Sequence, residues 1–188
     1  MHEIHFATGN ADKFRLVSSL LSIPVRQVML DLPERQALDA REVIEAKARD
    51  AYRQVGKPVL VQDTALHVEA WGGLPGALVA WFLQTVGNEG ICRMMRDWEN
   101  RAAVALFAVG FYDGTAFRCF TSEIAGRIVD RPRGKGGFGW DALFAPNGYN
   151  KTFAEMTDEE RAAVSMRRRA FEKFRDYLAA RSEEGLDD

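Results

Sequence analysis

The segment of residues 134–169 combines the residue types that a pocket for an anionic, aromatic ligand needs. Its glycines let the backbone approach a ligand closely, and Phe138 and Trp140 offer aromatic faces on which a base can stack. The segment also carries cations that can bind phosphate groups, namely Lys151, Arg161, Arg167, Arg168 and Arg169. This combination predicts a nucleotide site.

A second candidate for phosphate binding lies near the N-terminus. Thr8, Gly9 and Asn10 interrupt an apolar opening, and Lys13 follows within the first turn of a helical pattern. A glycine turn at the start of a helix presents N–H groups to an anion, and a nearby lysine can add its charge. The second glycine and the Lys-Ser/Thr pair of a Walker A loop are missing, so an ordinary strand-to-helix turn remains an alternative.

Three acidic residues stand where a metal ion could be held. Glu34 is predicted in a loop, and Asp63 at the end of a strand. Asp141 comes directly after residues 134–140, which are called the glycine loop. Magnesium prefers one or two carboxylates together with water and phosphate oxygens. The three acids therefore predict a magnesium site beside the phosphates, although for any one of them a solvated loop carboxylate is the alternative.

Composition excludes several classes of function. The chain has 188 residues, 47% of them hydrophobic, and a net charge of −2, so no global positive field would attract a nucleic acid. It contains no run of 18 apolar residues and no signal-peptide pattern, which predicts a cytoplasmic protein without a membrane partner. Cys92 and Cys119 show no metal-ligand spacing with the histidines, and we expect both to be free thiols.

Hydrophobic periodicity predicts a single mixed α/β domain over residues 1–188. Strands are predicted at 4–8, 25–30, 59–61, 102–112 and 116–129, and helices at 12–21, 40–55, 77–86, 90–98 and 158–181. Asp113 and Gly114 form a turn signal between the two long strands. Either Thr157 or Asp158 is expected to cap the last helix. Trp81 and Phe82 are candidates for an apolar interface, with burial in the core as the alternative.

Taken in order, these segments resemble the inosine triphosphate pyrophosphatase family along nearly the whole chain. The matching motifs are Thr8-Gly9-Asn10 with Lys13, Asp-Leu-Pro-Glu at 31–34, Val-Gln-Asp-Thr at 61–64, Gly-Gly-Leu-Pro-Gly at 72–76, Phe-Gly-Trp-Asp at 138–141 and Lys-Thr-Phe-Ala-Glu-Met at 151–156. The resemblance implies an elongated α/β fold with a mixed sheet, flanking helices, a nucleotide cleft between two lobes, and a homodimer.

The resemblance also implies the activity and the roles of individual residues. The family hydrolyses ITP, dITP and XTP to the monophosphate and pyrophosphate. Glu34 and Asp63 would hold magnesium, and Asp63 would act as the base. Lys13, Lys47 and Arg161 would offset phosphate charge. The base would stack on Phe138 or Trp140 while Arg167 donates to O6, and the remaining substrate-binding positions are Thr8, Gly9, Asn10, Thr64, Gly139, Asp141 and Met166.

Three departures from the family pattern lie among these residues. Gln62 replaces an acid, Met166 replaces a histidine, and Arg161 replaces a lysine. Two functions remain open as a result. The first is an active pyrophosphatase with an altered rate or base preference. The second is a dITP sensor that hydrolyses the nucleotide slowly or not at all and signals to an effector protein, for example a sirtuin-like NAD-depleting protein in anti-phage defence. A scaffold without a nucleotide site is a third alternative.

Overall fold

The computed structural model of the protein describes residues 3–9, 11–21, 23–33 and 35–183, which are arranged around a seven-stranded mixed sheet. The strands are β1 Ile4–Ala7, β2 Val25–Val28, β3 Val59–Val68, β4 Pro75–Gly76, β5 Ala102–Tyr112, β6 Phe117–Ile128 and β7 Phe144–Pro146. The helices are α1 Ala11–Leu20, α2 Ala40–Val55, α3 Val79–Thr85, α4 Gly87–Met94, α5 Asp158–Ala163 and α6 Met166–Glu183, with 3-10 turns at Glu69–Trp71 and Phe153–Glu155. The predicted mixed α/β class with flanking helices is confirmed.

Among the described residues, the order of the strands leaves part of β3 without a paired strand on one side. The strands follow the order β2-β1-β3-β5-β6-β7, and β4 pairs with the far end of β3. The parallel ladder that the structure describes between β1 and β3 stops at Phe6 and Leu60. On the other side, β3 pairs with β5 along its whole length. The middle of β3, beyond Leu60 and before its pairing with β4 at Leu66, therefore faces an opening.

Helices cover both faces of the sheet. Val59 and Val61 of β3 pack with Ile44 and Ala48 of α2 on one face. On the other face, α1 and α6 pack against the sheet in the larger core, which includes Leu60, Leu66, Val17, Phe171 and Phe174. Because side chains alternate along a strand, Asp63 belongs to the α2 face. Gln62 and Thr64 belong to the face covered by α1 and α6.

The strand that carries Asp63 is longer than predicted. The apolar pattern predicted a strand over 59–61, but β3 continues through Gln62, Asp63 and Thr64 to Val68. The reason is pairing across the sheet, because Asp63 lies opposite Ala108 in the ladder with β5. The prediction that Asp63 stands at a strand end is therefore wrong, and its carboxylate is carried by the middle of a long strand.

The prediction of one helix over 158–181 is also wrong, because two helices, α5 and α6, occupy this stretch. Thr157 caps α5, as one of the two alternatives predicted, and its hydroxyl accepts a hydrogen bond from Glu160 N at 3.2 Å. Helix α5 stops before Val164, and the Ser165 hydroxyl accepts from Arg168 N at 3.1 Å at the start of α6. The cap residue Ser165 marks this break inside an otherwise continuous helical pattern. No glycine or proline in the sequence indicates that the helix ends there.

The prediction of a hairpin from the two long strands is confirmed, and a carboxylate ties its turn to α6. One oxygen of Asp113 accepts hydrogen bonds from Thr115 N and Ala116 N, and the other accepts from Arg181 Nη1 at 2.7 Å. Burial acts to raise the pKa of Asp113, but the hydrogen bonds from Ala116, Arg181 and Thr115 together hold it well below its usual range. The ionised carboxylate therefore stabilises the folded state.

None of the helices that the structure describes is long and apolar enough to cross a membrane. Cys92 is buried and Cys119 is partly buried, and both are free thiols as predicted. Phe82 packs against Trp71 with a centroid separation of 6.2 Å, whereas Trp81 is 49% exposed. Of the two aromatic residues considered for an interface, only Trp81 presents a large apolar surface.

We expect Asp113→Asn to lower the free energy of unfolding by about 1–3 kcal/mol at pH 7, because it removes the charge from a partly buried hydrogen-bonded pair. At about 2–4 °C per kcal/mol, the melting temperature should fall by roughly 2–12 °C. Since the pKa of Asp113 is lowered in the folded state, its contribution is present above the unfolded value of about 3.9. The contribution is lost as the pH falls further, so the difference between variant and wild type should narrow below about pH 4.

Thermal unfolding between pH 3 and pH 8 measures this difference. The control is Asp176→Asn, which breaks an exposed pair with Arg175 and should change stability by about 0–1 kcal/mol. A difference between Asp113→Asn and wild type that is equally large at pH 3 and pH 7 would contradict the assignment.

Candidate functional site

A cavity of about 270 Å³ lies at the open edge of β3. Its floor includes Asp63, Thr64 and Phe107, and one wall is the loop of residues 138–141. The junction of α5 and α6, residues 164–167, forms a second wall. Further walls come from residues 77–81 with Leu83, and from Arg35, Gln36 and Val43. The cavity thus collects residues that are far apart in the sequence around the one strand that carries the candidate catalytic carboxylate.

Asp141 organises the loop of residues 138–141. Its carboxylate accepts a hydrogen bond from Phe138 N at 2.9 Å. Gly137 has a φ of +71°, and a Cβ at this position would overlap the Asp141 side chain, so glycine allows the close approach. Burial raises the pKa of Asp141, against the opposing effects of the Phe138 amide and of the Arg167 and Arg161 charges. Asp141 is thus a partly buried carboxylate that fixes the loop.

The two aromatic residues of this loop have different environments. Phe138 is 52% exposed and lines the cavity, so its ring is available for stacking. Trp140 is only 6% exposed, and its ring packs against Phe144 and Phe153 with centroid separations of 5.7 and 6.2 Å. Of the two predicted stacking partners, the structure thus favours Phe138. Trp140 contributes to the wall of the cavity from within the core.

The break between α5 and α6 brings Met166 and Arg167 to the cavity. The guanidinium of Arg167 lies 5.1 Å from the centroid of the Phe138 ring and 5.4 Å from that of Phe107. Met166 is buried and lines the same wall. Arg161 also lines the cavity, and its Nη2 donates to the carbonyl of Met156 at 3.1 Å. A continuous helix would not present these residues together.

The rest of the predicted basic cluster does not reach the cavity. Lys151 donates to both carboxylate oxygens of Glu160, at 2.8 and 3.0 Å. Arg168 and Arg169 are exposed on α6. Lys151 therefore forms a structural ion pair instead of offering its charge to phosphate as predicted, because proximity in the sequence did not show that Glu160 would lie next to it.

Lys13 joins the site from α1. Its Nζ lies 5.6 Å from the centroid of the same Phe138 ring that Arg167 approaches. Burial lowers the pKa of Lys13, as do the charges of Arg167 and Lys47, while Asp63 opposes them. These interactions place the candidate phosphate-binding cations Lys13 and Lys47 beside the candidate catalytic carboxylate, next to the cavity lining that the structure describes rather than within it.

The N-terminal loop lies at the end of β1. Thr8 N donates to the Val28 carbonyl at 3.1 Å, and the Thr8 carbonyl accepts from Gln27 Nε2 at 2.9 Å. Gly9 follows directly before α1. Asn10, the third residue of this predicted phosphate loop, lies outside the described residues, as does Glu34, one of the two predicted metal ligands. The phosphate-binding role of the loop stays a prediction.

Asp63 offers the kind of ligand that magnesium prefers. Its carboxylate accepts a hydrogen bond from Thr64 N at 2.8 Å and interacts with Lys13 electrostatically. Within the described ranges, no three His, Cys, Asp or Glu side chains lie close enough to hold a metal ion. Magnesium bound to a nucleotide needs only one or two carboxylates, because phosphate oxygens and water complete its shell. The donor chemistry of Asp63 therefore fits this metal.

Gln62 is buried next to Asp63 and has an unsatisfied side chain. It is 8% exposed, and neither its amide nitrogen nor its amide oxygen has a hydrogen-bond partner among the described residues. Although it lies on the same face of β3 as Thr64, it is not among the residues that line the cavity. An unsatisfied buried amide is costly, so Gln62 lowers the stability of the folded protein relative to an apolar side chain of similar size.

Several residues of the site carry no signal in the sequence. The sequence pattern predicts a core position for Phe107 in β5. In the structure Phe107 lies opposite Thr64 and lines the cavity with it. Asn88 of α4 donates to the Gly139 carbonyl at 2.9 Å and so connects α4 to the loop. Arg35 lines the cavity and pairs with Glu42 at 2.7 Å. Their roles depend on contacts between distant segments, which local patterns do not record.

A mixed sheet with a basic, aromatic-lined cavity at an open strand edge defines an α/β protein with a pocket for an aromatic anion. Comparison with known families is specific. The sequence model of the Ham1 family matches residues 4–177, and the chain belongs to this family. The predicted relationship to inosine triphosphate pyrophosphatases is confirmed.

Relatives of known name cover nearly the whole chain. A dITP/XTP pyrophosphatase of Methanopyrus kandleri is 40% identical over 179 residues, which is 93% of this chain and 95% of that protein. An inosine triphosphate pyrophosphatase of Yarrowia lipolytica is 41% identical over 184 residues, covering 95% and 97% of the two chains. The Ham1 protein of Staphylococcus aureus has the same fold, with a TM-score of 0.86, 23% identity and coverage of 95% and 98%.

We expect Gln62→Met to raise the free energy of unfolding by about 1–3 kcal/mol, because it replaces an unsatisfied buried amide with an apolar side chain of similar length. Chemical denaturation of both proteins measures the change. Gln36→Met, at an exposed position on the cavity rim, is the matched control and should alter stability by less than about 0.5 kcal/mol. Lower stability of Gln62→Met would mean that the amide is satisfied, and would contradict this interpretation.

Proposed function

We propose that the protein hydrolyses the deaminated purine nucleoside triphosphates ITP, dITP and XTP to the nucleoside monophosphate and pyrophosphate. The observation that carries the proposal is the meeting of three groups at one cavity: the exposed ring of Phe138, the Arg167 guanidinium beside it, and the Asp63 carboxylate on the floor. The names of the relatives, dITP/XTP pyrophosphatase and inosine triphosphate pyrophosphatase, support the same substrates.

Phe138 and Arg167 recognise the base in this proposal. The base stacks on the exposed face of Phe138, while Arg167 donates to O6 of hypoxanthine or xanthine. Adenine carries an amino donor at the equivalent position, so it would oppose one donor with another. An unpaired buried donor costs about 1–3 kcal/mol, or roughly a ten- to hundredfold loss of affinity. Gly139, Asp141 and Met166 line the space around the base.

The cations around Asp63 bind the triphosphate. Lys13, Lys47 and Arg161 offset the negative charge of the triphosphate. They also stabilise the additional negative charge that develops on the pyrophosphate leaving group during the reaction. Thr64 lines the floor beside Asp63, and Thr8, Gly9 and Asn10 offer backbone N–H groups at the start of α1. The interactions of Lys13 with Asp63, Lys47 and Arg167 support this arrangement.

Asp63 acts as the base in the chemical step. Its carboxylate accepts the proton from a water molecule that attacks the α-phosphorus, and pyrophosphate leaves. Magnesium would be held by Asp63 and Glu34, and it would neutralise phosphate charge and lower the pKa of bound water. The Thr64 amide bonded to Asp63 keeps the carboxylate oriented.

The wider assignments follow from this function. We also propose a homodimer, as the family resemblance implies, and a cytoplasmic protein that acts on a small nucleotide without a nucleic-acid or membrane partner, as the composition and charge predict. The alternative of a dITP sensor that signals to an effector in antiviral defence gains no support, because the relatives named above are pyrophosphatases. Gln62, Met166 and Arg161 are accordingly variations within an enzyme's site.

We expect Asp63→Asn to lower dITP turnover about 10²–10⁴-fold, since an amide of the same size keeps the bond from Thr64 N but cannot accept the proton. Pyrophosphate release at saturating dITP and magnesium measures the rate. Asp176→Asn, which changes an exposed carboxylate of α6, is the control and should hydrolyse dITP at the wild-type rate. Turnover by Asp63→Asn within twofold of wild type would rule out Asp63 as the base.

We expect Arg167→Ala to weaken binding of dITP roughly ten- to hundredfold and binding of dATP much less, because only dITP offers an acceptor to the guanidinium. Calorimetric titration of both nucleotides gives the two losses. Arg168→Ala removes the same charge from the exposed neighbouring position and should leave the preference intact. Equal losses for dITP and dATP in Arg167→Ala would mean that Arg167 does not distinguish the bases.

A further inference from the structure

The residues 152–156, here called the scaffold turn, lie outside the cavity lining except for Phe153, yet they contact three segments of the site. We propose that Thr152 is a positioning residue for base recognition, because its hydroxyl fixes the scaffold turn against the glycine loop. This inference rests on the proposed function, since it concerns the base that the cavity accepts. It adds a residue that makes no contact with the cavity itself.

The Thr152 side chain is fully buried, and its hydroxyl bonds to the backbone of a distant segment. The hydroxyl donates to the Arg133 carbonyl at 2.9 Å, directly before the glycine loop. Thr152 and Glu155 form a capping box, in which the Glu155 carboxylate accepts from Thr152 N at 2.9 Å, while the Glu155 N–H donates to the Thr152 carbonyl at 3.0 Å. The hydroxyl therefore connects the loop and the scaffold turn, and an apolar side chain of the same shape would leave the Arg133 carbonyl without this donor.

Ala154 of the scaffold turn holds the loop at two points. Its carbonyl accepts from Gly136 N at 3.0 Å, and its amide donates to the Asp141 carbonyl at 3.1 Å. Gly134 has a φ of +86°, and a Cβ there would overlap the backbone of Ala154 and Glu155. The loop between these points carries Phe138, the proposed stacking partner. The position of Ala154 thus sets the position of the base-binding ring.

The scaffold turn also orients a cavity-lining cation. The carbonyl of Met156 accepts from Arg161 Nη2 at 3.1 Å. The Glu155 carboxylate lies 3.4 Å from Arg133 Nε, which strengthens the link that the Thr152 hydroxyl makes to the same residue. One short turn therefore holds both ends of the base-binding loop and the guanidinium of Arg161.

The Asp63 carboxylate is held in place independently of the scaffold turn. Asp63 is held by the β3–β5 ladder and by its own bond with Thr64 N, and the scaffold turn pairs with neither strand. A defect at Thr152 should consequently loosen base recognition and leave the catalytic carboxylate in place. This separation predicts a change in KM and in base preference with little change in kcat, which a general loss of folded protein would not produce.

The matched variants Thr152→Val and Thr152→Ser test the proposal. Valine keeps the shape without the hydroxyl, and serine keeps the hydroxyl without the methyl group. We expect Thr152→Val to raise KM for dITP roughly tenfold or more and to lower the preference for dITP over dATP similarly, with kcat within about threefold of wild type. Thr152→Ser should stay within about threefold of wild type in all three values.

An unchanged KM and base preference in Thr152→Val, or equal losses of kcat in both variants, would overturn the proposal. If Thr152→Val does not fold, Glu155→Gln serves instead, because it weakens the other half of the capping box. It should raise KM for dITP in the same direction and leave kcat near wild type, and a fall in kcat alone would overturn the proposal.

Hydrogen exchange separates this inference from the proposed function. The amides of Gly136 and Ala154 should exchange faster in Thr152→Val, or in Glu155→Gln if that variant is used, while the ladder amides of β5 keep their wild-type rates. If wild-type protein neither binds nor hydrolyses dITP, the proposed function fails, and the exchange rates still decide whether Thr152 positions the loop. Unchanged exchange at Gly136 and Ala154 would overturn the positioning role in an active protein as well.

Discussion

The antiparallel ladder between β3 and β5 is the constraint on which the site depends. It runs along the whole of β3 and pairs Asp63 with Ala108 in the middle of the sheet. On the other side, the described ladder with β1 stops at Leu60. A polar stretch can continue as a strand here because β5 satisfies its backbone on one edge. The same arrangement leaves the other edge open for a cavity, and it holds the carboxylate on a rigid element, as catalysis requires.

The base-recognition side of the cavity is built differently, from irregular backbone held by specific hydrogen bonds. The Asp141 carboxylate closes the loop by accepting a hydrogen bond from Phe138 N. The scaffold turn fixes the loop through the backbone hydrogen bonds of Ala154. The cap at Ser165 ends one helix and begins another, which brings Arg167 against Phe138. Such backbone needs more polar contacts per residue than a strand, because no ladder satisfies it. This need for hydrogen bonds to irregular backbone accounts for the glycine, acidic and hydroxyl residues within residues 134–169.

These two kinds of support explain how the site can vary without losing its chemistry. Gln62 is buried outside the cavity lining, and Met166 is buried in the cavity wall. Neither residue supports the position of the Asp63 carboxylate, which depends on the ladder and on Thr64 N. Changes at Gln62 and Met166 can therefore alter stability and base preference, while the carboxylate, Lys13 and Lys47 still interact with one another.

Much of the fold was predictable from local pattern, because strong periodicity and turn residues determine it. The strand over 102–112 and the helix over 40–55 have the predicted bounds, and the candidate residues at 138–141 do line a cavity. The continuation of β3 through Asp63 was not predictable, since it depends on pairing with a strand more than 30 residues away in the sequence.

The break in the last predicted helix, the burial of Trp140 and the pairing of Lys151 with Glu160 were missed for a related reason. Each depends on which face of an element meets which partner in three dimensions. The sequence therefore indicated which residue types form the site, and tertiary contacts decided which of their side chains reach it.

The most direct test of the central claim is hydrolysis of dITP in ¹⁸O-labelled water, with the products analysed by mass spectrometry. If Asp63 activates a water at the α-phosphorus, the label should appear in dIMP, and the other product should be unlabelled pyrophosphate. Label in pyrophosphate or in orthophosphate would mean attack at a different phosphorus. Tight binding of dITP without products would contradict the assignment of an enzyme.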